Sequence, residues 1–128
     1  MAHWSDKYVG RPYIEGEQDC AVLAEDVQRE EFGRQISLPT ERAAGLRGLS
    51  RQIESLKLDY AVPTDTPAEG DGVLMIGRGN LDHIGIYCVI GGTAYVLHAA
   101  SNARQVVRHR LRDLPGQGLP VEGFYKWI

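Results

Sequence analysis

Cys20 opens an apolar run in Gly16-Glu17-Gln18-Asp19-Cys20-Ala21-Val22-Leu23, and two histidines follow much later. His83 lies in Leu81-Asp82-His83-Ile84-Gly85-Ile86-Tyr87, and His98 lies in Tyr95-Val96-Leu97-His98-Ala99. A thiol with an imidazole nearby is the minimum equipment for nucleophilic cysteine chemistry, in which the imidazole takes the thiol proton and the sulfur attacks a carbonyl. A cysteine in the first turn of a helix is well placed for this, because the positive end of the helix dipole favours the thiolate. The backbone N–H groups of the same turn can also stabilise an oxyanion. From position alone Cys20 reads equally well as a small buried hydrophobe. Cys20, His83, His98 and Asp82 are also residue types that bind zinc. Nothing else in the chain has metal-ligand spacing, so neither a metal nor a cofactor is expected.

These residues need a helix and a sheet to hold them. Asp19 is a good N-cap, and Cys20, Leu23, Ala24 and Val27 recur at helical spacing to form one apolar stripe that Gly33 ends. From Ser37 to Leu58 a weaker stripe (Leu46, Leu49, Ile53, Leu56) predicts one or two short helices, followed by a loop from Pro63 to Glu69. After Gly70 the pattern changes to strands: residues 72–76, 82–90, 93–99, 105–111 and 121–128. Gly91-Gly92 is a two-residue hairpin signal, and Leu114 to Pro120 reads as a loop. Helices first and an antiparallel sheet afterwards make an α+β arrangement, in one domain over residues 1–128.

The hairpin turn fixes a register. With Gly91-Gly92 at its tip, Ile90 pairs with Thr93, Cys88 with Tyr95 and Gly85 with His98. Side chains alternate faces along a strand, so His83, Gly85, Tyr87 and Val89 share one face with His98. Diagonal neighbours across two strands are roughly 7–8 Å apart at the backbone, within reach of two imidazoles, and Gly85 leaves room for the rings. His98 can then orient His83 while the other His83 nitrogen faces a thiol, the geometry of a triad. Cys88 falls on the opposite face among isoleucines and reads as core. His109 reads as a sheet-surface residue and His3 as a terminal bystander. The closing Phe124-Tyr125-Lys126-Trp127 reads as core in preference to a contact surface.

Composition bounds the function classes. The 128 residues carry a net charge of −3, 43% hydrophobic and 24% charged residues. That balance gives no reason to expect nucleic-acid binding. No segment approaches the ~18 consecutive apolar residues of a membrane span. The opening residues, Met-Ala-His-Trp-Ser-Asp-Lys, lack the apolar stretch of a secretory signal, which predicts synthesis in the cytoplasm without export by that route. Two cysteines do not make a disulfide framework.

Four segments, taken together, resemble the NlpC/P60 cysteine peptidases. Tyr8-Val-Gly-Arg-Pro-Tyr-Ile-Glu-Gly-Glu-Gln-Asp-Cys-Ala-Val-Leu is similar to the family's opening, a Gly-x-Pro-Tyr element followed by Asp-Cys at a helix start. Glu69-Gly-Asp-Gly-Val-Leu-Met resembles its Gly-Asp strand, Asp82-His83-Ile-Gly-Ile-Tyr its His-Val-Gly-Ile-Tyr motif, and Val96-Leu-His98-Ala its final Ile-His-Ala. The segments occur in family order from residue 8 to residue 99. The resemblance implies a papain-like fold with N-terminal helices packed on a central antiparallel sheet, Cys20 as nucleophile, His83 as base and His98 as the orienting third residue. It further implies that Tyr13 approaches the thiol and that Asp19 helps hold the amino end of the substrate. The implied partner is a bacterial peptidoglycan stem peptide, cut between γ-D-glutamate and a diamino acid. The loop between Tyr13 and Cys20 is shorter than usual in the family, and Ala21 stands where serine is common. A bare catalytic domain without a signal peptide is similar to phage-encoded cell-wall peptidases, which implies action at the cell wall and tail proteins as further partners. The alternative is a weakly active structural or binding component of a phage tail with the same fold.

Overall fold

A computed structural model describes residues 2–14, 17–36, 61–77, 80–100 and 102–128. The described residues form a small α+β domain, one α-helix on a six-stranded antiparallel sheet. The helix is α1 (Cys20–Phe32), and the strands are β1 (Ala61–Thr64), β2 (Gly72–Gly77), β3 (Asn80–Ile90), β4 (Thr93–Ala100), β5 (Gln105–Arg110) and β6 (Val121–Trp127). The sheet order is β1-β6-β2-β3-β4-β5, with every neighbour antiparallel. The short helices expected between Ser37 and Leu58 lie outside the described residues. No helix among the described residues is long and apolar enough to cross a membrane.

Helix α1 starts and stops where its end residues require. The Asp19 carboxylate accepts from Val22 N–H at 3.1 Å, satisfying one of the first-turn donors, and Gly33 closes the helix in the left-handed region at φ 66°. Its stripe of Cys20, Leu23, Ala24 and Val27 is buried against Leu74, Ile84, Ile86, Cys88, Leu97, Ala99 and Val106. Gln28, fully buried at the far end of that stripe, donates from Nε2 to Gly70 O at 2.8 Å.

The β3–β4 register is the expected one: Gly85 opposite His98, Cys88 opposite Tyr95, Ile90 opposite Thr93. Gly91 and Gly92 turn the chain with φ of 59° and 79°, a conformation that glycine adopts without a Cβ penalty. The second face of the sheet holds a smaller core of Val73, Met75, Val96 and Leu114, with Tyr87 and Phe124 packed edge to face at 5.8 Å.

Several expectations need correction. Ala61–Thr64 is a strand rather than part of a loop, and it tolerates Pro63 because it is an edge strand with one pairing partner, β6. Leu114 to Pro120 holds a 3-10 turn (Pro115–Gln117), just after another (Leu111–Asp113). Leu114 plugs the second core with no exposure. His3 is no bystander: it caps a 3-10 turn (Trp4–Tyr8) through Ser5 N–H, and its Nε2 meets Glu69 at 2.9 Å. Tyr125 and Trp127 are buried, as the closing aromatics suggested.

Candidate functional site

Three imidazoles, not two, form a continuous row on the sheet. His83 Nε2 lies 2.8 Å from His98 Nδ1, with the rings perpendicular and their centroids 4.9 Å apart. His98 Nε2 then lies 3.0 Å from His109 Nδ1. His98 is completely buried in the middle, while His83 and His109 are partly buried at the ends. Burial holds the His83 imidazole down to about 4. Burial, then the neighbouring His83 and His109, hold His98 down to about 3. Both rings are therefore neutral at neutral pH, and each has one N–H donor and one acceptor nitrogen.

Strand geometry explains the row. His83 and His98 share a face by alternation, and Gly85 between them is packed without space for more. A Cβ there would fall 2.4 Å from Val96 Cγ1 and 2.9 Å from Met75 Cε. His109 sits on β5 opposite Val96, one step along the ladder from the Val107–His98 pair, which brings its ring diagonally against His98. The expectation of a surface role for His109 is thus overturned. The missed signal was alternation on β5, where His109 has the parity of Val107; the β4–β5 turn, with Arg104 at φ 57°, gave no readable register.

Cys20 approaches from the other side. Helix α1 covers the face bearing Ile84, Ile86, Cys88 and Leu97, whereas His98 shares its face with Gly85 and Val96. The helix buries its apolar stripe on the more apolar face, and that face carries Cys88. Cys88 is the core residue expected, with no exposure and a thiol pushed up to about 12 by burial. Neither cysteine is in a disulfide.

Along the strands, however, Cys20 and His83 lie at the same end. The far end of α1 meets Gly70, whose N–H donates to Tyr87 O near the hairpin end of β3. The segment leading into α1 is tied to the opposite end, where Tyr13 N–H donates to Arg104 O and Pro12 bridges Gln105. Gln105 pairs with Ala100, and the β3–β4 ladder continued two residues past Gly85–His98 brings Ala100 level with His83. The β2–β3 ladder also shifts there, with Met75 opposite His83 but Ile76 opposite Leu81, so β3 carries one extra residue just before His83. Such a bulge bends the strand and re-aims its side chains.

The supporting residues are held firmly. Asp19 is 2% exposed and capping, and Cys20 is 5% exposed. Tyr13 packs against the helix-side core. Arg11 pairs with Asp26 of α1 at 2.6 Å, so the segment carrying Tyr13 is fastened both to the helix and to β5. No cluster of metal-ligating side chains occurs among the described residues.

Comparison with protein-family models, with curated proteins and with solved structures returned no match. Any functional reading therefore rests on the residues themselves.

Proposed function

We propose that this chain is a cysteine peptidase of the NlpC/P60 type, with a papain-like fold, that hydrolyses an amide bond in peptidoglycan stem peptides. The observation that carries the reading is the 2.8 Å contact of His83 Nε2 with His98 Nδ1, the base-and-orienter pair such a mechanism requires. The Asp19-capped helix start at Cys20, at the same end of the sheet, supports it.

In this reading Cys20 Sγ attacks the amide carbonyl while His83 takes the thiol proton at its Nδ1. First-turn N–H groups of α1 stabilise the oxyanion. The proton then passes from His83 to the leaving amine, and water releases the acyl group from sulfur. Tyr13 and Asp19 shape the substrate side of the thiol. Because α1 and the imidazoles lie on opposite faces, this reading requires the thiol to reach His83 around the end of β3, at the bulge. The γ-D-glutamyl–diamino acid bond is the proposed target, and the cell wall, reached as part of a phage particle, the proposed place of action.

Purified protein incubated with cell-wall sacculi should release stem-peptide fragments, and Cys20→Ala should abolish that release. Fragment release that survives Cys20→Ala would overturn the reading. The 5% exposure of Cys20 favours a second reading, a structural or binding component of a phage tail with the same fold. Alkylation of Cys20 against pH separates the two. Rapid reaction well below the ordinary thiol value of roughly 8.5 belongs to the nucleophile, and sluggish reaction to the scaffold.

A further inference from the structure

The imidazole row does not end at the residue that orients His83. A row of three neutral rings joined by Nε2-to-Nδ1 contacts has two fully bonded proton arrangements. In the first, each Nε2 carries the proton. His83 Nε2–H donates to His98 Nδ1, His98 Nε2–H donates to His109 Nδ1, and His83 Nδ1 is left as a bare lone pair. In the second, each Nδ1 carries it. His109 Nδ1–H donates to His98 Nε2, His98 Nδ1–H donates to His83 Nε2, and His83 Nδ1 can accept nothing. Which arrangement holds is decided at the His109 end of the row, by whether His109 Nδ1 accepts from His98 or donates to it.

We propose that His109 is a positioning residue that accepts from His98, keeps His83 Nδ1 available as a base, and receives the charge when His83 takes up a proton. The transfer is a balanced shift of protons with no redox change. A proton binds His83 Nδ1. The His83 Nε2–H bond breaks as His98 Nδ1–H forms, and the His98 Nε2–H bond breaks as His109 Nδ1–H forms. One proton has entered at His83 and the imidazolium stands on His109. Running the shifts backwards returns the proton to His83 Nδ1 for a leaving group.

Burial gives the relay its use. His98 has no exposure, and burial lowers both His83 and His98, so neither ring holds a positive charge comfortably. His109 is partly exposed, and water can solvate its charge. Its flanking charges on β5 point to the other face and have their own partners: Arg108 donates to Ser5 and Asp6, and Arg110 to Asp113. On β4 the residue opposite His109 is Val96, and the nearby Leu111 and Leu114 are apolar.

The relay depends on the peptidase reading only for its use, so its test does not need turnover. Long-range proton–nitrogen NMR on the full chain near pH 7.5 reads the tautomer of each ring. The expected result is Nε2–H at His83, His98 and His109. An Nδ1–H tautomer at His98 would overturn the proposal, even if sacculi are digested. An Nε2–H row beside sacculi that stay intact would support it and overturn the peptidase reading instead. In His109→Phe the acceptor is gone. The His98 tautomer should become mixed, and Cys20 alkylation should slow by about tenfold or more. His109→Asn, whose Oδ1 can accept from His98 but cannot take up a proton, should restore the His98 tautomer and leave alkylation slow. Unchanged His98 signals and alkylation in a folded His109→Phe would overturn the relay. If that variant does not fold, the wild-type tautomers decide alone.

Discussion

The two faces of the β3–β4 ribbon carry different kinds of chemistry on the same strands. Beneath α1, Ile84, Ile86, Cys88, Leu97 and Ala99 pack with Leu23, Ala24 and Val27, a contact made of volume alone. On the reverse, His83, Gly85 and His98 alternate with them, and the packing of Val96 and Met75 surrounds a hydrogen-bonded row. The first face stabilises by burying apolar area, a term that hardly depends on pH. The second also holds polar groups that are tolerable in the interior only while they are neutral and paired. The comparison teaches that a stable strand can carry a polar, hydrogen-bonded face if its other face supplies the stability.

The largest expected effect tests the apolar face by itself. Ile86 is fully buried, and Ile86→Ala should cost about 4 kcal/mol in urea unfolding by leaving a cavity under α1. The histidine ring signals should stay in place. If they move, the two faces are not separable.

Acid tests the other face. His83 and His98 have folded values of about 4 and about 3, below the ordinary 6.5, so between those limits the unfolded chain binds protons that the folded chain does not. Stability supplied by these neutral rings is whole above 6.5 and is lost as pH falls towards 4 and 3. Unfolding free energy should drop by about 3 kcal/mol between pH 7 and 5, and His98→Leu should remove much of that slope. A flat profile over that range would break the distinction between the two faces.

The smallest effect touches both faces at once. Gly85→Ala should cost about 2 kcal/mol, because its Cβ would overlap Val96 and press on Met75 and Leu97 O. Unlike Ile86→Ala, it should also displace the His98 ring signals, which a proton–nitrogen spectrum would record.

How much of this was legible in the sequence depended on the local signals. The β3–β4 register could be read residue by residue because two glycines fixed a two-residue turn. The helix could be read because Asp19 and Gly33 mark its ends. The pairing of His83 with His98 followed from that register. Three features stayed hidden because no local residue encodes them. The β4–β5 turn contains no such glycine pair, so the third imidazole could not be placed. Both faces of β3 carry apolar residues, so alternation sorted the side chains without saying which face the helix would cover. Pro63 masked an edge strand that exists only because β6 returns to pair with it.

The clasp around Glu69 has a consequence for the order in which the chain assembles. Glu69 accepts from His3, from Trp4 Nε1 at 3.0 Å and from Val89 N–H, and Arg108 reaches back to Ser5 and Asp6. Each of these partners is made by a segment far along the chain from the first turn, so closing them carries a loop-entropy cost that the two-residue hairpin avoids. The segment from His3 to Tyr8 can therefore settle only once β3, β4 and β5 are in place to receive it.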